Sequence, residues 1–250
     1  MTNNKIYFIA NWKMYGSIKS IHSIKNVIKL KKKSAYKKAE IVYCPPYTLL
    51  DQFSKKMKKN RIYLGAQNSH FNYEYGAFTG SVNSKMIKNI GCKYVILGHS
   101  ENRASGDNDK IINLKVKSCM KEKLKIIFCI GETLNQKRKR KTNSVLKKQL
   151  INGLKNLKKI NNIIFAYEPV WSIGTGIIPK SKDLEKQVIQ IKKLIKHKLK
   201  IRDPKVLYGG SVSPKNISSL KHISSINGFL IGGASQNSKK FIDIIKKTIN

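Results

Sequence analysis

Short, nearly continuous runs of apolar residues recur along this chain at regular intervals. Eight such runs are rich in β-branched residues: IYFIAN from Ile6, EIVYCP from Glu40, IYLGAQN from Ile62, YVILGHS from Tyr94, KIIFCIGE from Lys125, IIFAYEP from Ile163, VLYGGS from Val206 and GFLIGG from Gly228. Strands that are covered by helices on one face and packed together on the other show continuous runs rather than polar–apolar alternation. The pattern therefore predicts eight buried strands.

Longer segments with helical spacing of apolar residues lie between most of these runs. Three of the predicted apolar stripes are Ile18, Ile21, Ile24, Ile28 and Leu30; Leu184, Val188, Ile191, Leu194 and Ile195; and Phe241, Ile242, Ile244 and Ile245. Asp183 and Glu185 near the start of the second segment, and lysines towards its end, complement a helix dipole. The segments between the strands are therefore predicted to be helices.

Eight strand-then-helix units in 250 residues are what a parallel (β/α)8 barrel requires. An open doubly wound sheet is the alternative. Such a sheet would normally have a glycine-rich phosphate loop after its first strand, where this chain has NWKM. Neither a shift in composition nor a long linker divides the sequence. The predicted fold class is α/β, with residues 1–250 forming a single-domain parallel (β/α)8 barrel.

The composition adds a large excess of basic residues. Lys plus Arg is 51 and Asp plus Glu is 13, which gives a formal net charge of +38. A nucleic-acid-binding function would explain this charge, and the run QKRKRK from Gln136 to Lys141 would be its best candidate. However, only five of the basic residues are arginines, which do most base reading, and the lysines are spread over the whole chain. We therefore expect a general attraction for anions and no specific nucleic-acid partner.

The sequence also predicts the compartment. None of its apolar runs approaches the roughly 18 residues of a membrane span, and Asn and Lys interrupt the short apolar stretch near the N-terminus, unlike a signal peptide. The four cysteines lack the spacing of metal ligands and are predicted to be buried, reduced thiols: Cys44, Cys92, Cys119 and Cys129. We expect a cytoplasmic protein with no membrane partner.

Polar residues collect where the predicted strands end. These residues are Asn11 and Lys13 after strand one, Gln67 and Asn68 after strand three, His99 and Glu101 after strand four, Glu132 after strand five and Glu168 after strand six. In a barrel these positions meet at the C-terminal rim, where active sites form. Strands that merely exit into polar loops would explain the polarity, but not this combination of residue types. The pattern favours an active site at the rim.

Strands seven and eight end instead in glycine pairs, Gly209–Gly210 and Gly232–Gly233. Glycines let backbone N–H groups approach an anion closely, and a short helix beyond strand eight would add its positive end. Barrels commonly bind phosphate between their last two strands. Two ordinary tight turns are the alternative, but their joint occurrence at strands seven and eight favours a phosphate site.

These stretches resemble the triosephosphate isomerase family over essentially the whole chain. The matching motifs, in the expected order, are FIANWKM, GAQN with GAFTG, VILGHSEN, CIGETL, AYEPVWSIGTG, LYGGSV and IGGAS. The resemblance implies a barrel enzyme of glycolysis and gluconeogenesis that interconverts dihydroxyacetone phosphate and D-glyceraldehyde 3-phosphate through an enediolate. It implies no cofactor and no metal.

The resemblance also implies roles for individual residues. Glu168 is the expected base, and His99 is the expected neutral electrophile at a helix N-terminus, which would disfavour the imidazolium. Lys13 and Asn11 are expected to stabilise the substrate and the enediolate, and Glu101 to support Lys13. Glu132 is expected to be structural rather than catalytic.

The same resemblance implies a phosphate site and a lid. The expected phosphate-binding residues are Gly174, Ser211, Gly232 and Gly233. Residues 169–171 would form the first hinge of the lid and residues 172–176 its tip. After the tip the family usually has Lys and then a small residue two places on. Ile177 and Pro179 stand there, so the second hinge is altered.

A homodimer is the last implication of the resemblance. The loop Ser69 to Thr79 is expected to enter a second subunit, with Phe71, Tyr73, Tyr75 and Phe78 supplying apolar surface and Thr79 reaching the partner's site. Asn102 and Ser81 replace an Arg and a Glu that we expect to pair across such an interface. Two alternatives to an active isomerase remain: a catalytically retired barrel, and a basic protein that binds anions or nucleic acid.

Overall fold

Eight parallel strands close into a barrel in the computed structural model, which describes residues 5–57, 60–157, 160 and 162–250. The strands are β1 (Ile6–Asn11), β2 (Ala39–Cys44), β3 (Tyr63–Ala66), β4 (Tyr94–Leu97), β5 (Lys125–Ile130), β6 (Ile163–Tyr167), β7 (Val206–Tyr208) and β8 (Gly228–Ile231). Each strand pairs with its neighbour in the sequence, and β8 returns to pair with β1. The eight predicted strands and the barrel are confirmed. Residues 1–4, part of the N-terminal stretch considered above, lie outside the described residues.

Helices connect the strands and cover the outside of the barrel. They are α1 (Ile24–Lys32), α2 (Leu50–Met57), α3 (Ser84–Asn89), α4 (Ser100–Ala104), α5 (Asp109–Lys121), α6 (Leu134–Arg138), α7 (Thr142–Gly153), α8 (Ser181–Leu199), α9 (Ile217–Leu220) and α10 (Ser238–Ile249). Short 3-10 turns occur among them, including Ile18–Ser23, Val170–Ser172 and Gly233–Gln236. The last two belong to the functional site described below.

Two apolar layers explain why the strand sequences are continuous runs. One layer fills the barrel interior and includes Ile9, Val42, Ile96 and Ile127. The other lies between the strands and the helices and includes Phe8, Ile41, Val95, Phe128 and Phe165. Because successive side chains of a strand point to opposite faces, each strand contributes to both layers and needs apolar residues at nearly every position.

The predicted helical stripes are confirmed in part. Most members of the second and third stripes are buried along α8 and α10. The prediction for the first stripe is wrong at its first residue, because Ile18 is 62% exposed. Residues 18–23 form a 3-10 helix with about three residues per turn, so the spacing of an α-helix does not apply before Ile24. Val27, which the stripe omitted, is buried.

All four cysteines are buried free thiols, as predicted, and burial raises the pKa of each of them. Within the part of the chain that the structure describes, no helix is long and apolar enough to cross a membrane.

Candidate active site

The C-terminal ends of the strands surround a cavity of about 730 Å³. Its lining contains every residue that was predicted to be catalytic or to bind phosphate: Asn11, Lys13, His99, Glu168, Gly174, Ser211, Gly232 and Gly233. The two predicted supporting residues do not line the cavity: Glu101 contacts Lys13 from outside it, and Thr79 is exposed on its own loop. Among the described residues, no group of three or more His, Cys, Asp or Glu side chains is placed to hold a metal ion.

Glu168 is a buried carboxylate that glycines accommodate. It follows β6, its side chain and backbone together are 2% exposed, and its backbone N–H donates to the Ile130 carbonyl at 2.8 Å. A Cβ atom at Gly209 would lie 2.7 Å from Glu168 Cγ, so a larger residue there would displace the carboxylate. Its Oε1 lies 3.2 Å from His99 Nε2, and its buried Oε2 has no hydrogen-bond partner among the described residues.

A backbone hydrogen bond selects the tautomer of His99. His99 is the N-cap of α4, and its Nδ1 accepts the Glu101 N–H at 3.2 Å. A nitrogen that accepts this bond carries no proton, so Nε2 carries the proton of the neutral ring and points it at Glu168. The predicted helix N-terminus at His99 is present, since α4 begins at Ser100.

The pKa of His99 nevertheless shifts in the opposite direction from the one expected. Burial lowers this pKa, but the Glu168 carboxylate and then Glu101 raise it, so the net pKa is raised. The helix N-terminus is outweighed because Glu168 Oε1 is only 3.2 Å away in a buried site. The protonation of His99 therefore depends on the charge of Glu168.

Lys13 has a left-handed backbone conformation, with φ of 55°. Such a conformation costs about 1–3 kcal/mol and persists only where neighbouring groups enforce it. Here the Asn11 side chain accepts the Lys13 N–H at 3.0 Å, and Gln67 Nε2 donates to the Lys13 carbonyl at 2.8 Å. The Lys13 ammonium forms an ion pair with Glu101, with 2.6 Å between Nζ and Oε1. The sequence predicted Asn11 and Glu101 at this site but no role for Gln67.

Two glycine pairs, Gly209–Gly210 and Gly232–Gly233, lie at the opposite end of the cavity. Ser211 follows β7, and Gly232–Gly233 lead into a 3-10 turn after β8, so the predicted short helix is present as a turn. A Cβ atom at Gly210 would overlap the Tyr208 hydroxyl. At Gly233 a Cβ atom would meet nothing within 4 Å. A side chain at Gly210, beside β7, would therefore clash with its neighbours, whereas one at Gly233, after β8, would not.

Glu132 is hydrogen-bonded to the segment that the sequence predicts to be the first hinge of a lid. Trp171 Nε1 donates to Glu132 Oε1 at 2.9 Å, and the Tyr167 hydroxyl donates to the same carboxylate at 3.2 Å. The Val170 N–H donates to the Glu132 carbonyl at 3.0 Å, and Lys137 Nζ lies 3.3 Å from the centroid of the Trp171 ring. Burial raises the pKa of Glu132, and these donors oppose the rise. Glu132 contacts the hinge and does not line the cavity.

Ser172 joins the two ends of the same segment, a role that the sequence analysis missed. Its hydroxyl donates to the Ile177 carbonyl at 2.6 Å. It therefore accepts from the Tyr208 hydroxyl, 2.9 Å away on β7. The tip between Ser172 and Ile177 carries Gly174, which has a φ of 72° and lines the cavity. An isolated serine has no sequence signal that separates such a bridge from an ordinary loop residue.

The loop before α3 presents aromatic residues to solvent. Phe71, Tyr75 and Phe78 are each about half exposed, and Met14 and Tyr15, which follow Lys13, are more exposed still. Tyr73, which was expected to add to this surface, packs within its own chain, with Lys85 and Lys121 ammonium groups 4.3 Å and 4.4 Å from its ring centroid. The exposed aromatic surface is thus smaller than the sequence predicted.

Comparisons with known proteins agree on one family. The family model described as triosephosphate isomerase matches residues 6–248. A triosephosphate isomerase from Dictyoglomus thermophilum is 42% identical, over 95% of this chain and 97% of the relative, and one from Saccharomyces cerevisiae is 39% identical, over 96% and 98%. The crystal structure of triosephosphate isomerase from Bartonella henselae has a TM-score of 0.87 at 32% identity, covering 97% of this chain and 98% of that one.

Proposed function

The chain belongs to the triosephosphate isomerase family and interconverts dihydroxyacetone phosphate and D-glyceraldehyde 3-phosphate, and we propose that Glu168, His99, Lys13 and Asn11 carry out the reaction. One observation supports this assignment above the others. A buried carboxylate and the proton-bearing nitrogen of an imidazole lie 3.2 Å apart in a cavity that also holds a lysine and the glycine-rich ends of β7 and β8.

Glu168 acts as the base. It removes a proton from the carbon beside the substrate carbonyl, and the electron pair of the broken C–H bond forms the enediolate. The same proton, or one exchanged with solvent, then returns to the neighbouring carbon. The low exposure of Glu168 and its unpartnered Oε2 favour this role, because that oxygen is not engaged by a protein donor and can accept the substrate proton.

His99 acts as a neutral donor to the carbonyl oxygen. Its Nδ1 is occupied by the Glu101 N–H, so Nε2–H is the group available to substrate. In the resting site Glu168 raises the pKa of His99. When Glu168 takes the carbon-bound proton it loses its charge, so this influence disappears at the step in which the enediolate forms. The imidazole therefore donates a hydrogen bond without becoming an imidazolium.

Lys13 and Asn11 balance the negative charge that develops on the oxygens. An ammonium held in place before the reaction stabilises the enediolate without further reorganisation. The Lys13 backbone is held by Asn11 and Gln67, and its Nζ by Glu101, so its position is fixed from both ends. Glu101 is a positioning residue in this arrangement.

The segment from Pro169 to Pro179 is the lid. Gly174, Ser211, Gly232 and Gly233 bind the substrate phosphate through backbone N–H groups when the lid closes. A closed lid excludes water from the enediolate and so prevents loss of its phosphate. The Glu132–Trp171 bond and the Ser172 bridge hold the ends of the lid while its tip moves.

A coupled isomerase assay in both directions tests this function. We expect turnover of both triose phosphates and very little with the unphosphorylated trioses, because the glycine-rich end would then be empty. A protein that binds a phosphate inhibitor but turns over neither triose phosphate would be the catalytically retired barrel. Retention on DNA at physiological salt would instead support the nucleic-acid-binding alternative.

We also propose that two copies of the chain form a homodimer through the loop Ser69 to Thr79. Phe71, Tyr75 and Phe78 offer exposed apolar surface, whose burial stabilises by roughly 25 cal/mol per Å². Repulsion between two strongly basic subunits opposes assembly, but salt screens it over about 8–10 Å. Sedimentation should show a dimer at physiological salt and partial dissociation at very low ionic strength. A monomer at physiological salt and micromolar concentration would contradict the proposal.

Two further proposals follow from the same assignment. Residues 1–250 form one domain, since the described residues build a single closed barrel and the family match spans nearly all of them. The protein acts in the cytoplasm, where its reaction belongs to glycolysis and gluconeogenesis. Fractionation of the source cells, followed by the isomerase assay, tests the location.

A further inference from the structure

The cavity is also lined by residues beyond those predicted to bind phosphate. Clefts of about 300–1,000 Å³ bury ligands of drug size, and this cavity, at about 730 Å³, lies well within that range. Its lining continues past Ser211 to Lys215 and past Gly233 to Lys239 and Lys240. These three residues, which we call the outer lysine group, lie beyond the predicted phosphate-binding glycines along both chain segments.

The outer lysine group carries uncompensated positive charge. In the part of the chain that the structure describes, none of its three ammonium groups forms an ion pair or a hydrogen bond. Lys13, by comparison, lines the same cavity but is paired with Glu101. Because these three exposed lysines line one cavity, their summed positive charge attracts an anion to it.

The nearby carboxylate is already neutralised. Asp243 also lines the cavity, but its Oδ2 lies 3.0 Å from Lys247 Nζ. Lys247 Nζ also donates to the Pro214 carbonyl at 3.1 Å, which fixes the turn that carries Lys215. Asp243 therefore does not cancel the charge of the outer lysine group, and Lys247 holds one of its members in place.

We propose that the outer lysine group is a second anion subsite, so that the cavity takes a small organic bisphosphate. One phosphate lies on the backbone of Ser211, Gly232 and Gly233, and the second lies between Lys215, Lys239 and Lys240. This inference rests on the proposed function, which supplies the first phosphate position. Since each phosphate carries a charge of about −1.5 to −2 at pH 7, such a ligand matches both subsites and competes with substrate.

Inhibition by matched ligands tests the proposal. The probes are α,ω-alkanediol bisphosphates of increasing chain length, each compared with the alkyl monophosphate of the same length in the isomerase assay. At the best length we expect the bisphosphate to inhibit about tenfold more tightly than its monophosphate, which is the gain that three exposed charge contacts can supply. The readout is the ratio of the two inhibition constants.

Two triple variants separate a formed subsite from general attraction. Lys215→Gln/Lys239→Gln/Lys240→Gln should bring the ratio close to one. Lys193→Gln/Lys196→Gln/Lys198→Gln removes the same charge near the end of α8, where the helix has run back from the cavity, and should leave the ratio unchanged. The subsite proposal would be overturned if both triple variants lowered the ratio equally, or if the first variant left the ratio unchanged. A wild-type protein inhibited by neither ligand class would overturn the proposed phosphate site itself.

Discussion

Side chains with reactive groups form the end of the cavity that we propose to be the reacting end, whereas glycine pairs mark the end that we propose to bind phosphate. Glu168, His99 and Lys13 come from three different strand ends and are held by hydrogen bonds or by close contact with glycine. The phosphate end has the glycines after β7 and β8, where the absence of a side chain is the useful property. The first end requires particular chemical groups, and the second requires space beside the backbone.

This contrast predicts two kinds of mutational effect. Changes at the reacting end remove a charge or move a proton acceptor, so they act on turnover. Changes at the phosphate end add atoms where the ligand or a neighbour must lie, so they act on the binding of phosphate compounds. Kinetic constants measured with substrate and with a phosphate inhibitor distinguish the two.

Lys13→Met should have the largest effect. It removes the ammonium that we propose balances the enediolate and leaves Glu101 without its lysine partner, so we expect turnover to fall about 10³-fold. The fold should persist, because Lys13 lies at the rim and not in the core. Lys19→Met, on an exposed turn nearby, is the matched control and should retain activity. Near-normal activity of Lys13→Met would show that other lysines substitute for it.

Gly210→Ala should act mainly on binding. The added Cβ atom would overlap the Tyr208 hydroxyl and lie 2.7 Å from Ser172 Oγ, so the turn after β7 must shift. Overpacking of this kind costs about 1–3 kcal/mol, and we expect a phosphate inhibitor to bind roughly tenfold more weakly or worse. Gly233→Ala has open space for its Cβ atom and should have a much smaller effect. Equal effects would mean that steric room beside β7 is not what matters.

Trp171→Phe should have the smallest effect of the three. It removes the donor to Glu132 but keeps an aromatic ring beside Lys137. Loss of one hydrogen bond to a buried carboxylate costs about 1–3 kcal/mol. We expect a lower melting temperature and a several-fold fall in kcat/KM through the lid. A variant with wild-type stability and kinetics would show that the Glu132 bond does not hold the hinge.

The barrel could be predicted from sequence because its strands are buried on both faces. Such strands are almost uniformly apolar, and the polar residue or glycine that ends all of them except β2 marks the rim. The start of the first helical segment could not be predicted from the sequence, because Ile18 has the spacing of an α-helix but lies in a 3-10 helix and is exposed. Apolar spacing alone does not distinguish the two helix types over six residues.

The proposed catalytic residues, which line one cavity, were identified from their motifs, but apart from Asn11 and Glu101 the groups that hold them in place could not be predicted. Gln67, Glu132 and Ser172 act through contacts with residues distant in the sequence or through a bridge across a loop. The direction of the His99 pKa shift depends on how close Glu168 lies, which is a distance and not a motif. In each case the decisive information is which residues lie close together in the fold, and the sequence pattern does not contain it.

Glu168→Asp, measured beside the wild type in the coupled assay, tests the central claim most directly. The change keeps the charge but withdraws the carboxylate by one methylene, and a misplacement of about 1 Å can lower a rate on the order of 100-fold. We predict a fall in kcat of that size with little change in the affinity for a phosphate inhibitor, which binds at the other end of the cavity. An unchanged kcat would contradict the assignment of Glu168 as the base.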